Sequence, residues 1–173
     1  MGFVRVGVMN ERIAPCGELR LVTWNGDVSD DESLEYLNGL WRPKRGRIVR
    51  DVTQPNLITN VGRALLASLG VGAGGTVYGY IGVTLTAITP AATDTVLASE
   101  TFRKACSTVA VLSTYYLRFV TNFLTSDWNG TGMGFGLFDA VAAGNMGAIV
   151  ATSVVKSASQ ALVSEWRIQV TAA

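Results

Sequence analysis

Residues 127–170 read D-W-N-G-T-G-M-G-F-G-L-F-D-A-V-A-A-G-N-M-G-A-I-V-A-T-S-V-V-K-S-A-S-Q-A-L-V-S-E-W-R-I-Q-V. Asn129-Gly130, Ala143-Gly144-Asn145 and the polar run 156–160 are turn signals. Between them lie 132–140, 146–155 and 161–170, each of strand length. The last alternates: Leu162, Ser164, Trp166, Ile168 and Val170 share one side, and Val163, Glu165, Arg167 and Gln169 share the other. A period of two means a sheet with one buried face. Three such runs joined by short turns predict an antiparallel meander closing a sandwich or barrel.

Working outward, the same logic covers most of the chain. Residues 3–8, 18–24, 76–84, 101–112 and 114–124 read as strands, the last two as the longest hairpin. Residues 56–70 carry Leu57, Ile58, Val61, Leu65 and Leu69 at helical spacing, with Gly70 as the stop and Asn56 or Thr53 as the cap. That helix should plug one end or open side of the sheets, and 87–100 should cross the top. A second short helix is expected through Leu34, Tyr36, Leu37 and Leu40, capped by Ser29 or Ser33. The expected fold is mainly β: an antiparallel, jelly-roll-like β-sandwich of six to eight strands with an extended N-terminal arm.

Composition agrees. The chain has 173 residues, 49% apolar and 16% charged, with 19 glycines. That suits one domain of short strands, with or without an attached arm. The charge is uneven. Residues 1–55 hold 16 charged side chains against 11 in the 118 that follow. We therefore divide the chain into 1–55, a charged arm or small subdomain, and 56–173, the sandwich; the alternative for 1–55 is solvated loops with extra edge strands. In 1–55 an acidic block (Asp27, Asp30, Asp31, Glu32, Glu35) precedes a basic one (Arg42, Lys44, Arg45, Arg47, Arg50). With Trp24, Tyr36 and Trp41 as aromatic anchors, these basic residues are the candidate interaction residues. A chain lacking 1–50 is expected to keep its sandwich and lose its docking.

Several chemistries are excluded or disfavoured. Without histidine there is no Ser-His-Asp or Cys-His site, and two cysteines, Cys16 and Cys106, make no zinc site. Two thiols are expected rather than a disulfide. Asp94, Glu100, Asp127, Asp139 and Glu165 lie singly, not as a glycosidase pair. The glycines of 70–75 follow a helix and precede a strand, the reverse of a phosphate loop. A net charge of +1 disfavours a specific nucleic-acid partner. The uncharged run 64–93 is broken by glycines and Pro90, so no membrane span is expected; residues 1–10 do not read as a signal peptide. Catalytic, metal and cofactor residues are expected to be none.

From residue 56 onward the chain resembles a family of small tailed-bacteriophage virion structural proteins. The matching features are N-L-I-T-N-V-G at 56–62, T-x-L-x-x-E-x-x-R at 95–103, N-G-T…G-L-F-D-A…G-N-M-x-A at 129–148, and K…E-W-R-I-Q-V at 156–170. The resemblance implies a non-enzymatic virion component assembled in the bacterial host cytoplasm. The first expectation is a capsid decoration (cement) protein, a homo-oligomer with a trimer favoured, partnered by the major capsid protein. The alternative is a tail, collar or fibre-base adaptor bound to tail or collar proteins. A third, from another class, is a host-glycan-binding module using Trp128 at a loop tip.

Overall fold

In the computed structural model the described residues are 16–25, 34–37, 40–44, 46–70, 77–113 and 116–169. Alternating sequences build two five-stranded antiparallel sheets. The first runs in the order β4 (Arg47–Pro55), β1 (Cys16–Asn25), β12 (Gln160–Gln169), β9 (Tyr116–Phe123), β8 (Thr108–Ser113). The second runs β5 (Leu57–Ile58), β11 (Met146–Lys156), β10 (Gly130–Phe138), β6 (Tyr80–Thr84), β7 (Glu100–Ala105). A separate hairpin joins β2 (Leu34–Leu37) to β3 (Leu40–Pro43), and the helix α1 spans Asn60–Gly70. The two sheets pack face to face, so the sandwich is what the alternation predicts.

The core lies between the sheets. Leu19 and Leu21 of β1, Phe119 and Phe123 of β9, and Leu162, Trp166 and Ile168 of β12 meet Ile81, Val83, Phe135, Leu137 and Val150 of the second sheet. Leu65 and Leu66 of α1 pack against this layer beside β11. Sequence alternation and apolar character point to Trp166, Ile168, Leu137 and Phe138 as one buried layer, and the first three lie in it. Phe138 lies elsewhere. Alternation along β10 puts Phe135 and Leu137 inward and Phe138 on the outer face, where it joins Leu97, Met146 and Ile149. The long connection containing Leu97 therefore covers the second sheet's outer face instead of crossing the top.

Four sequence expectations are corrected. The division at residue 55 does not hold, because β1 sits inside the first sheet, paired with β12 on one side and β4 on the other. Its Leu19 and Leu21 have no exposed surface. Charge misled here: Glu18 and Arg20 of β1 alternate with the core residues Leu19 and Leu21 and keep to the strand's outer face. Residues 34–43 form a hairpin, not a helix, since Asn38-Gly39 falls between paired Leu37 and Leu40 and favours a two-residue hairpin turn. The C-terminal run is no simple meander. β10 and β11 pair, but β12 crosses to the first sheet, with Gln160 N donating to Ser157 O at the corner. Likewise 101–112 splits at Cys106-Ser107, putting β7 and β8 in different sheets.

The helix start also shifts. Residues 57–58 pair with β11 as β5, and Thr59 is the cap, its Oγ1 accepting from Gly62 N at 3.0 Å. Such a cap is worth about 1 kcal/mol. Thr59 Oγ1 also donates to Met146 O, and Thr59 N donates to Gly147 O. Helix and strand touch so closely that a Cβ at Gly62 would lie 2.0 Å from Gly147 O.

Candidate interaction surface

The motifs quoted at 56–62, 95–103 and 129–148 converge on one joint. Met146, from the third motif, accepts from Thr59 of the first and donates through its N to Thr95 O of the second. Asp139 closes the 139–145 turn by accepting from Asn145 N at 2.7 Å and Asn145 Nδ2 at 2.9 Å. Ala143 and Gly144 take φ of 51° and 74° there, a conformation glycine adopts readily. Arg103 clamps the turn from β7. Its Nη1 donates to Ala140 O and Ala143 O, its Nε and Nη2 pair with Glu100, and its guanidinium lies 3.5 Å from the Phe138 ring centre. These polar groups are engaged in holding loops to sheets.

The outer face of the first sheet carries alternating charges across four strands. Arg20 of β1 binds Asp51 of β4 through two hydrogen bonds, and Arg167 of β12 reaches Glu18 of β1 at 3.4 Å. Arg118 Nε of β9 and Arg167 Nε both donate to Glu165 Oε1, at 2.8 and 3.0 Å. The hydrogen bond to Arg20 holds the Asp51 carboxyl below its ordinary pKa and raises that of Arg20 in turn. Burial is graded along the row. The Arg20 and Asp51 side chains are 34% and 37% exposed, those of Arg118 and Glu165 4% and 1%. The open end contributes at most about 1 kcal/mol, whereas removing one partner from the buried end costs about 3–5 kcal/mol. Beside this row Val22, Trp24, Val120 and Val163 form a second buried cluster. Both faces of β12 are thus buried. The hairpin strand β3 lies against β12.

One candidate interaction residue is turned inward. Trp24 is buried within that outer-face cluster, 6% exposed, and serves packing. Tyr36 and Trp41 stand opposite each other in the β2–β3 register, with Glu35 opposite Arg42; their side chains lie outside the described residues. Lys44, Arg47 and Arg50 are exposed, the latter two on the edge strand β4, and Arg45 lies outside the described residues. Of the expected basic surface, the described residues Lys44, Arg47 and Arg50 are presented to solvent. Trp128 is 7% exposed and packs edge-to-face on Phe123 and Phe135 at 6.0 and 6.3 Å. A buried ring offers no stacking platform for a sugar, and the glycan-binding expectation loses the residue it rested on.

One group was missed. Lys156 reads from sequence as a turn residue but has no exposed surface. Its Nζ donates to Trp128 O and Asn129 Oδ1, both at 3.1 Å, and burial pulls its pKa down to about 8. Burial likewise pushes the Cys106 thiol up to about 11; the thiol is free and accepts from Thr121 Oγ1. Asp127 and Lys104 are the charged groups that act on Lys156, and they form an ion pair with each other. Among the described residues no three of His, Cys, Asp and Glu cluster to hold a metal, and no helix is long and apolar enough to cross a membrane.

Fold and surface together define a two-sheet antiparallel β-sandwich whose polar groups serve mainly its own loops and faces. Comparisons with protein-family models, with curated proteins and with solved structures found no match.

Proposed function

We propose that this protein is a non-enzymatic structural component of a tailed-bacteriophage virion, acting as a capsid decoration (cement) protein on the major capsid protein. The observation that supports this reading is the joint itself. The residues that carry the resemblance (Thr59, Glu100, Arg103, Asp139, Asn145) are engaged in fixing helix, loops and strands; Glu100 and Arg103 also line an open groove beside residues 141–143, and there they pair with each other. A scaffold built this way suits a load-bearing part that meets its partners through edges and surfaces. Homo-oligomerisation and assembly in the host cytoplasm belong to the same proposal.

Capsid binding is tested by adding the purified protein to particles that lack it, then measuring occupancy and resistance of the particles to heating. Saturable binding over the capsid with a raised disruption temperature is expected. Binding confined to the tail or collar would favour the adaptor reading instead. No binding to either would overturn both.

A further inference from the structure

The two sheets have four edges, and three are guarded. β4 carries Arg47, Arg50, Asp51 and Pro55; β7 carries Glu100, Arg103 and Lys104; β5 is two residues long and leads into the helix. Charge, proline and shortness are what keep unpaired strand edges from joining other chains. β8 has none of these, and its one irregularity, a register shift between Val111 and Ser113, falls past the regular stretch Thr108–Val111. Its sequence is T-V-A-V-L-S, six residues without charge, proline or glycine, and among the described strands it pairs with β9 alone. Val109 and Val111 stand opposite Phe119 and Leu117, hence on the core side of the sheet. They are nevertheless 48% and 70% exposed, because the first sheet overhangs the second at this edge. The exposed apolar residues of β4, Ile48 and Val49, differ in being flanked by Arg47 and Arg50.

We infer that β8 is the contact between two copies of this chain, paired antiparallel edge to edge about a two-fold axis through Ala110. In that register Val109 of each copy faces Val111 of the other on the core-side face, and Ala110 faces Ala110. Self-pairing is an isologous contact, in which a strand must tolerate its own sequence opposite itself. On β4 or β7 such pairing would bring charged side chains of two copies together, with like charges opposed in some registers. On β8 it opposes only small, apolar or hydroxyl side chains, of the β-branched kind that stabilise cross-strand pairs. The two first sheets then merge into one sheet of ten strands. This deepens the proposed structural role by naming a second copy as a partner, and it replaces the expected trimer with a two-fold unit. The contact is short, so it is weak in dilute solution and strengthened where capsid binding concentrates the copies.

The test uses the full chain alone, so its outcome is separate from that of virion attachment. Sedimentation velocity from low micromolar concentration upward should show a monomer–dimer equilibrium. Val111→Lys, at a site exposed enough to leave folding intact, should weaken the dimer about tenfold or more, while Val49→Lys on β4 leaves it unchanged. Residues opposed in an antiparallel pair lie about 4.5–5.5 Å apart at Cα, within disulfide reach. Ala110→Cys in a Cys106→Ser background should therefore oxidise to a covalent dimer that Cys106→Ser alone does not form. A monomer at every concentration, or an oligomer indifferent to Val111→Lys, overturns the pairing. Failure of Ala110→Cys to cross-link overturns the register.

Discussion

Lys156 shows how a single side chain acts on the whole fold. A lysine with no exposed surface keeps its charge by donating to Trp128 O and Asn129 Oδ1, with the Asp127 carboxylate also favouring the charged form. Burial lowers its pKa from 10.5 to about 8, so between these values the unfolded chain binds a proton that the folded chain does not. Stability then rises with pH across that window, by up to about 3 kcal/mol for a shift of this size. The raised pKa values of Cys106, near 11, and Tyr78, near 12, act oppositely from about pH 9 and 10 upward. The clearest window is therefore pH 8 to 9. Denaturant unfolding of wild type and Lys156→Met should show stability climbing with pH in wild type and flatter in the variant. Parallel profiles would mean that Lys156 is not desolvated. Nothing in the sequence around Val155-Lys156-Ser157 signals this burial, because a lysine at a strand end is ordinarily solvated.

At the scale of elements, local pattern identified strands well and their partners poorly. Leu162, Trp166 and Ile168 announced the inward face of β12 because side-chain alternation is a property of the strand itself. Which sheet β12 joins depends on the corner at 157–160, and a short polar turn serves a hairpin and a sheet crossing alike. The hairpin at 34–43 was legible in Asn38-Gly39, a signal outweighed by leucines at helical spacing. Glu165 was read as solvent-facing, but β3 lies against β12 and Glu165 is buried with Arg118. The largest error was the arm, since charge density does not tell a solvated tail from a strand with one charged face. This has a direct consequence. Deleting residues 1–50 removes β1, leaves β12 without its inner neighbour and opens the core at Leu19 and Leu21. The truncated chain should lose its cooperative thermal transition and its near-ultraviolet dichroism. A cooperative transition retained at a similar temperature would restore the picture of a detachable arm.

The whole molecule combines a two-sheet sandwich, a motif joint engaged in holding the fold and, among the described strands, one sheet edge without charge or proline. These features support the proposed structural role. Among the described residues of the candidate basic surface, Lys44 and the β4 residues Arg47 and Arg50 are exposed, and Trp24 turns inward to pack. Docking by β4 charges would be screened within about 8 Å at physiological ionic strength, so attachment through them weakens as salt is added. The proposal of a capsid decoration protein meets its most direct test in the number and position of copies on purified virions, measured by imaging the particles and quantifying the protein against the major capsid protein. The account predicts copies on the order of hundreds, distributed over the capsid surface in register with its lattice. A single small ring at the tail or collar, or absence from the particle, would contradict it.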